Sequence, residues 1–516
     1  MAFQSWFARA QLQPGAPGLR CLSVPQDRWW ETAQQLAAGG ARLAALWASG
    51  NTSAPRKVHA VFLANPGGLV LNVPITDPEG CYQGIEALFP AAARMQRAMW
   101  DLSGVRSTDP DSRPWLRHAA WLQSEHPLSD PLAAAVRATS AACPATAAYD
   151  FVRVEGDGVH EIAVGPVHAG TIEPGHFRFS VVGEKVLRLE ERLGYAHKGI
   201  ELRFTQLPIL EGQRLAARVS GDSAVAFSWA YCQALEGMVG QDLPPRALWL
   251  RALYLELERA ANHLGDLGAL GNDAGFAFGL SQFSRLKEYL LRAMHEALGE
   301  RYLMGAVVPG GTRADLDAGG AMRIAECVHA IASETVTLRT IYEEHEGVRD
   351  RFNGAGTVSA ELAQRLGLIG LAGRASGQGF DLRRDLPCAP YDALQPLKAG
   401  RSAGDVAARV AVRFDELKES CRLIGRILVE MPEGLHLQPV SLPPEGAVAV
   451  GLIEGWRGPV LVALEAGASG TIRRCHPHDP SWQNWPVLEH AIIGNIVADF
   501  PLINKSFNLS YSGHDL

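Results

Sequence analysis

Five long segments with apolar residues at helical spacing dominate the middle of this 516-residue chain. They run over residues 223–239, 245–270, 276–298, 321–352 and 405–429. Pro245 stands at the first turn of one segment and Gly299 follows the last turn of another, as is typical of helix starts and stops. Segments of this length must bury their apolar stripes against one another, so the sequence predicts a bundle of long helices.

The residues before this bundle have a different pattern. Two apolar stretches between residues 57 and 74 flank Asn65-Pro66-Gly67-Gly68, which is typical of a β-hairpin, and a helical stretch follows over 83–100. Residues 127–148 are rich in Ala, Ser and Pro and indicate a boundary at about residue 140. We therefore expect a small α/β domain over residues 1–140.

The larger part, residues 141–516, begins with strand-like residues 151–194 and ends, after the helices, with a hairpin over 447–464 and a last helix over 486–500. The tract Cys475-His476-Pro477-His478-Asp479 is interpreted as a loop, because a closed zinc site needs four ligands with paired spacing. The predicted fold class is α+β: a small α/β N-terminal domain, then a large, mainly helical domain with β-hairpins.

Composition excludes several classes of protein. Lys and Arg number 48 against 55 Asp and Glu, which excludes a nucleic-acid footprint over the whole surface. The 8 cysteines are far apart and form no Cys-x-x-Cys pair, as expected for reduced cytoplasmic thiols. No secretory signal and no apolar run of about 20 residues is present, so membrane association is expected only through partners.

Several motifs, taken together and in this order, resemble a known family. They are Gly165–Phe177 (Gly-Pro-Val-His-Ala-Gly-Thr-Ile-Glu-Pro-Gly-His-Phe), Gly194–Glu201, Leu255–Leu264 with its Leu-Glu-Leu-Glu-Arg, Val308–Gly311, Arg374–Gly377 with Asp381 and Arg383, and Trp456–Gly458. The chain thereby resembles the large subunit of membrane-bound, energy-converting nickel–iron hydrogenases, including the formate hydrogenlyase type, and the larger core subunit of complex I. Trp100–Val105 and Asp111–Arg113 resemble the smaller complex I core subunit, fused here in front of the larger one. The resemblance implies a hydrogenase large-subunit-like fold.

The resemblance also implies where a nickel–iron centre would be bound, by two Cys-x-x-Cys pairs. At the four matching positions stand Ser220, Ser223, Ser510 and Gly513. Hydroxyls are hard ligands that stay protonated at neutral pH and do not replace thiolates around nickel and low-valent iron. We therefore expect no metal and no cofactor on this chain, and an active nickel–iron hydrogenase is nearly excluded. Cys232 matches a family position outside the ligand set and is expected to be a buried structural thiol.

Four residues are the candidate catalytic set. Glu173 matches the carboxylate that passes protons near the hydrogenase centre, where partial burial and a raised pKa would suit it, although a surface or salt-bridged Glu is the alternative. His168 matches a family histidine, while the second histidine and the tyrosine associated with quinone fall on Ile172 and Gly221. Asp222 either lines the emptied cavity or caps the following helix, and Arg457 belongs to a matching motif.

Charged residues in the same motifs predict a buried ion network between helices, serving either proton relay or fold specificity. They are Glu258, Arg259, His263, Arg374, Asp381, Arg383 and Arg457. The function implied by the resemblance is a peripheral subunit on the cytoplasmic face of the inner membrane. An iron–sulfur partner subunit would supply electrons, an acceptor such as quinone would receive them, and membrane subunits would move ions. The alternative is a catalytically inert scaffold of such a complex.

Overall fold

The computed structural model describes residues 2–51, 54–117, 125–129 and 149–516. The N-terminal domain is a five-stranded sheet in the order β1-β2-β5-β4-β3, with helices packed against it. Its strands are β1 (Gln11–Leu12), β2 (Leu19–Ser23), β3 (Arg42–Asn51), β4 (Ala54–Ala64) and β5 (Gly67–Pro74). Its helices are α1 (Ala2–Arg9), α2 (Trp29–Ala38) and α3 (Ala92–Ser103), and a small parallel pair joins β6 (Cys81–Tyr82) to β7 (Arg106–Ser107).

The predicted hairpin is β4 and β5, which pair antiparallel on either side of Asn65-Pro66. The predicted helix over 83–100 instead begins at Ala92. Side chains take the backbone N–H groups before it: Ile85 N donates to Gln96 Oε1 and Glu86 N donates to Asp109 Oδ2. Those donors are satisfied without a helical turn, so the helix starts later. The boundary expected at about residue 140 lies outside the described residues.

The larger domain opens with an antiparallel sheet in the order β10-β9-β8, which confirms the strand-like pattern before the helices. Its strands are β8 (Val159–Val164), β9 (His176–Val182) and β10 (Lys185–Arg192). Two short helices follow, α4 (Ile200–Phe204) and α5 (Gln213–Ala216). The loop between β8 and β9 carries His168 and Glu173 and is therefore part of the candidate site.

The predicted bundle is present. Its long helices are α6 (Ala224–Met238), α7 (Pro245–Asp273), α8 (Ala277–Leu298), α9 (Ala318–Glu344) and α15 (Val406–Glu430). The segment predicted as one helix over 321–352 breaks at His345, whose extended backbone begins α10 (Glu346–Phe352) and whose Nδ1 accepts from Val348 N at 3.2 Å. Shorter elements connect these helices: β11 (Val307–Val308), β12 (Gly311–Thr312), α11 (Ala360–Leu366), α12 (Gly370–Ala375), α13 (Leu382–Asp385) and α14 (Tyr391–Leu394).

The predicted C-terminal hairpin is β13 (Val448–Glu454) with β14 (Pro459–Ala466), and a third strand, β15 (Ile472–His478), pairs with β14. The loop expected over 475–479 was therefore wrong for residues 475–478. This segment is buried between β14 and the N-terminal domain, where Trp47 stacks on His476 at 5.2 Å. Glu201 bonds His476 at 2.7 Å, so a polar strand can be buried there.

The predicted last helix over 486–500 was also wrong. The chain instead forms α16 (Ser481–Ala491), α17 (Phe500–Phe507) and α18 (Tyr511–Asp515). Pro486 lies inside α16, where it removes one helical hydrogen bond, while buried Trp482 and Trp485 anchor that helix. In the part of the chain that the structure describes, no helix has the length and apolar character to cross a membrane.

Candidate functional site

The four positions that match metal ligands come together although almost 300 residues separate the two pairs. Ser220 and Ser223 precede α6, while Ser510 and Gly513 lie at the start of α18. Ser220 Oγ and Ser510 Oγ are 2.8 Å apart, and Gly513 N donates to Ser510 Oγ at 2.9 Å. The fold therefore builds one polar site from both segments, as predicted from the match of these positions to the ligand positions of the family.

An ion pair between Asp222 and Arg457 occupies this site. Arg457 Nη1 donates to Asp222 Oδ1 at 2.8 Å, and Nη2 contacts Oδ2 of the same carboxylate. Burial opposes ionisation of Asp222, but Arg457 outweighs it and lowers the pKa of the carboxyl. The helix-cap alternative for Asp222 was wrong, because Ser223 is the N-cap residue of α6 and makes no side-chain cap. Glu258 from α7 takes that role and accepts from Val225 N at 2.7 Å.

A chain of hydroxyl groups leads to this ion pair. Ser220 Oγ donates to Asp222 Oδ1 at 2.8 Å, which uses the one hydrogen of that hydroxyl. Ser510 must therefore donate to Ser220, while its own oxygen accepts from Gly513 N. The result is a directed path, Ser510 to Ser220 to Asp222, ending on a carboxylate paired with Arg457. Such a path orients hydroxyls and can carry a proton toward the carboxylate.

The residues at the four positions do not fit a nickel–iron centre. Three of them offer hydroxyls, and a Cβ added at Gly513 would lie 2.7 Å from Asp479 Oδ2 and 2.9 Å from Ser510 Oγ. A cysteine side chain at 513 thus has no room in this arrangement, and hard hydroxyl donors do not replace thiolates. Among the described residues, no group of three or more His, Cys, Asp or Glu side chains is placed to hold a metal ion.

The remaining two candidates lie at the edge of the site. Glu173 Oε2 accepts from Ser512 N at 3.0 Å, and His168 Nε2 lies 3.4 Å from the Tyr511 hydroxyl. Both therefore contact α18, the helix that carries Ser510 at its N-cap. The expected partial burial of Glu173 was wrong: its side chain is exposed in this chain, whereas His168 is half-buried and burial lowers its pKa. The structure thus groups Glu173, His168, Asp222 and Arg457 around one helix start.

A buried ion network exists and contains five of the seven predicted residues: Arg259, His263, Arg374, Asp381 and Arg383. The other two lie outside it, because Glu258 accepts from backbone N–H groups of α6 and Arg457 pairs with Asp222. Arg374 Nε donates to Glu416 Oε1 at 2.7 Å, and Arg383 Nη2 donates to Asp381 Oδ2 at 2.8 Å. His263 Nε2 bonds the same Glu416 at 3.0 Å. Burial also raises the pKa of the Cys232 thiol well above its usual range, and the opposing effect of the nearby Arg251 is smaller, so the thiol stays protonated. The structural interpretation of Cys232 is consistent with its position in the core.

Sequence reasoning missed several residues that hold the site and the network. Asn262 and Trp456 each donate to the backbone carbonyl of Asp222, at 2.8 and 2.9 Å. Glu416 and Glu454 supply carboxylates to the network. One signal was available: Glu454 ends the otherwise apolar strand Val448–Glu454, and a charge there is seldom buried without a partner.

Comparison with known proteins finds matches to two families in this chain. Residues 22–135 match the family of the 30 kDa subunit of respiratory-chain NADH dehydrogenase, and residues 273–441 match the family of its 49 kDa subunit. Formate hydrogenlyase subunit 5 of Escherichia coli is 30% identical over 439 residues, which are 84% of this chain and 77% of that protein. The carbon monoxide-induced hydrogenase of Rhodospirillum rubrum is 31% identical over 354 residues, 68% of this chain and 97% of that protein.

This chain belongs to the family of fused 30 kDa- and 49 kDa-type subunits. Its relatives include the C/D subunit of NADH-quinone oxidoreductase of Bacteroides thetaiotaomicron and the alpha subunit of the membrane-bound hydrogenase of Pyrococcus furiosus. A chain of the membrane-bound sulfane sulfur reductase, an archaeal respiratory membrane complex, shares the fold with a TM-score of 0.66 at 24% identity, over 70% of this chain and 99% of that chain. The resemblance inferred from the motifs and the α+β fold class are thereby confirmed.

Proposed function

We propose that this family member is a peripheral subunit of a membrane-bound redox complex and that its own cavity holds no nickel–iron centre. The relatives are subunits of complexes of this kind. In the proposal, electrons arrive from the iron–sulfur cluster of a partner subunit. An acceptor such as quinone receives them, and membrane subunits couple the reaction to ion movement on the cytoplasmic face of the inner membrane.

One observation carries the proposal: the ion pair between Asp222 and Arg457 stands among the positions that match the ligands. The guanidinium and carboxylate neutralise each other there, and the hydroxyls of Ser220 and Ser510 are bonded to each other and to Asp222. A site of this kind offers hydroxyls that can relay a proton, and it does not offer soft ligands. In the proposal, the chemical role of this site is to supply protons to a reduced acceptor that binds at its edge.

Glu173 and His168 lie where such an acceptor would bind. Both are on the loop between β8 and β9, which presents exposed apolar side chains beside them: Val167 is 80% exposed and Ile172 is 48% exposed. Exposed apolar residues next to a polar site favour contact with a partner protein or with an apolar acceptor. Glu173 would hold or release a proton at its carboxylate, and His168 would donate a hydrogen bond to the acceptor.

The second candidate is a scaffold that keeps such a complex assembled without chemistry of its own. Ile172 and Gly221 favour it, because they occupy the positions that match the histidine and the tyrosine associated with quinone in complex I relatives. Under this alternative, the ion pair simply closes an unused cavity and stabilises the start of α6.

The test begins with elemental analysis of the purified native complex, with hydrogen uptake and quinone reduction assayed on the same sample. The proposal expects iron without stoichiometric nickel, quinone reduction, and no hydrogen uptake. Nickel in stoichiometric amount together with hydrogen uptake would refute it. Absence of both activities in an intact complex would favour the scaffold.

Substitutions separate the two candidates further. Glu173→Gln keeps the shape of the side chain but removes the ionisable carboxylate, so turnover should fall about 100-fold or more if it transfers a proton. Glu184→Gln, in the exposed turn between β9 and β10, is the matched control and should leave turnover unchanged. Assembly is checked by gel filtration of each complex. Unchanged turnover in Glu173→Gln with full assembly would contradict the proton-transfer role.

A further inference from the structure

Eight side chains form a buried ion cluster behind the candidate site, and we use that name for them below. They are Glu256, Arg259, His263, Arg374, Asp381, Arg383, Glu416 and Glu454. They come from five parts of the fold: α7, α12, the start of α13, α15 and β13. None of the eight is more than 3% exposed. Bulk water therefore does not stabilise an uncompensated charge in the cluster.

The charges in the cluster do not cancel when every carboxyl group is ionised. Four carboxylates face three guanidiniums, so the cluster holds one more acid than base. An uncompensated charge in such a site is costly, and a buried acid without its own cation takes up a proton instead. Either the imidazole or one of the four carboxyl groups must therefore bind a proton for the cluster to be neutral.

His263 is poorly placed to take it. Its Nε2 lies 3.0 Å from Glu416 Oε2, and because that carboxylate only accepts, Nε2 carries the hydrogen of the neutral ring. Its Nδ1 has no hydrogen-bond partner among the described residues. A second proton on Nδ1 would be a buried N–H without an acceptor, which is unfavourable. Burial and Arg259 nearby accordingly keep the pKa of His263 below its usual value.

Three of the carboxylates are held in the ionised form by direct contacts. Both carboxylate oxygens of Glu256 accept from Arg383 Nη1, at 3.0 and 3.2 Å. They also accept from the hydroxyls of Tyr391 and Ser420, at 2.8 and 2.7 Å. Burial opposes its ionisation, but Arg383 and Arg259 outweigh it and lower the pKa of Glu256.

The other two of these carboxylates have cations of their own. Arg383 donates to both oxygens of Asp381, at 3.1 and 2.8 Å. Glu416 accepts from Arg374 at 2.7 Å and from His263. In each case these partners outweigh burial, and the pKa values of Asp381 and Glu416 lie below the usual range.

Glu454 has the weakest support for a negative charge. It accepts from Arg374 Nη1 at 2.8 Å, but that guanidinium also binds Glu416, and its other partner is the neutral Leu382 N–H at 3.1 Å. We infer that the buried ion cluster is a proton-binding site, which takes up one proton on Glu454 at neutral pH. Burial and the negative charge of Asp381 raise the pKa of Glu454 to about 7, in agreement with this assignment.

The proton-binding site is joined to the candidate site by a short turn. Arg259 donates to the carbonyls of Glu454 and Gly455, at 2.6 and 3.0 Å, and Arg457 follows two residues later. Loss of the proton would add a negative charge beside Arg374 and near Arg259, and Arg259 also holds this turn. The inference extends beyond the proposed function and does not depend on it, because the cluster binds its proton whether or not electrons reach the chain.

The direct test is infrared spectroscopy of the full chain as a function of pH. A protonated carboxyl group has a carbonyl stretch that ionised carboxylates lack. We expect such a band to disappear with a midpoint near pH 7 in the natural sequence and to be absent in Glu454→Gln. Glu465→Gln is the matched control: Glu465 lies on the neighbouring strand β14, bonded to Arg473 at 3.1 Å outside the cluster. The control should keep the band.

Two more variants assign the band. Glu258, whose pKa burial raises to about 8, gives a second band, and Glu258→Gln should remove that one alone. Asp381→Asn removes the neighbouring negative charge and should move the Glu454 midpoint to lower pH. A component with a midpoint near pH 7 that persists unchanged in Glu454→Gln, or the absence of such a component in the natural sequence, would overturn the inference.

Stability gives a readout that does not depend on band assignment. A carboxyl group with a raised pKa favours the folded state below that pKa, and this contribution is lost as pH rises from about 4.5 through 7. The folding equilibrium constant of the natural sequence should therefore fall ~100-fold relative to Glu454→Gln between pH 5 and pH 8. Parallel pH profiles for the two proteins, each unfolding in urea, would contradict the proton on Glu454.

Discussion

The ion pair between Asp222 and Arg457 gives the sharpest test of the site, through a double-mutant cycle of Asp222→Asn and Arg457→Met. Breaking a fully buried ion pair costs ~3–5 kcal/mol, and an exposed pair contributes ~1 kcal/mol or less. Here the Arg457 side chain is 5% exposed and that of Asp222 is 36% exposed. The coupling free energy should therefore lie between these limits, at ~2 kcal/mol.

The assay is urea unfolding followed by tryptophan fluorescence, for which Trp456 is well placed because its Nε1 donates to the Asp222 carbonyl. The exposed pair between Glu211 and Arg214, at 3.3 Å, is the control cycle and should couple by less than ~1 kcal/mol. The pKa of Asp222 is lowered, so its contribution is present above the unfolded pKa and is lost as pH falls below it. A coupling free energy below ~0.5 kcal/mol at pH 7 would refute the reasoning.

Three further predictions concern single buried residues. Gly370→Ala should lower the free energy of unfolding by more than ~2 kcal/mol, because φ is +62° there and a Cβ would lie 1.7 Å from the Arg457 carbonyl oxygen. Gly379→Ala is the control: a Cβ there would meet no atom within 4 Å, so the free energy of unfolding should change by less than ~0.5 kcal/mol. Cys232 should resist iodoacetamide at pH 8 until the chain unfolds, since burial raises the pKa of its thiol; labelling in the native protein, detected by peptide mass mapping, would be the contrary result. Burial opposes ionisation of Glu201, but Arg474 and His476 outweigh it and lower its pKa to about 2. The natural sequence should therefore lose stability as pH falls from about 4.5 to 2. In an acid titration followed by circular dichroism, Glu201→Gln should lack that part of the loss.

Much of the fold could be predicted because its signals are local. Helical spacing identified α6, α7, α8 and α15 to within a few residues, and the turn residues around Asn65 identified the hairpin of β4 and β5. The errors have a common cause. Strand β15 and the first five residues of helix α16 were missed because the long-range packing of Cys475–His478 and of Trp482 stabilises them against their local sequence.

The candidate site shows the same division. Motif positions could indicate that Ser220, Ser223, Ser510 and Gly513 correspond to ligand positions, and hydroxyl chemistry alone argued against nickel. Position alone could not decide between the two interpretations of Asp222. Only the packing of α7 did so, because Glu258 satisfies the N–H groups at the start of α6 and leaves Asp222 to pair with Arg457.

The sequence by itself thus determined the class of fold, the family and the absence of thiolates at the matching positions, since these depend on residue type and on local period. The tertiary structure decided which charges meet. A carboxyl group such as Glu454 binds a proton or remains ionised according to how many cations contact it in a water-free interior, and its contact with Arg374 joins residues 80 positions apart in the chain. Such long-range electrostatic balance has no local signature, because burial and neighbours exist only once the helices and the C-terminal sheet have packed.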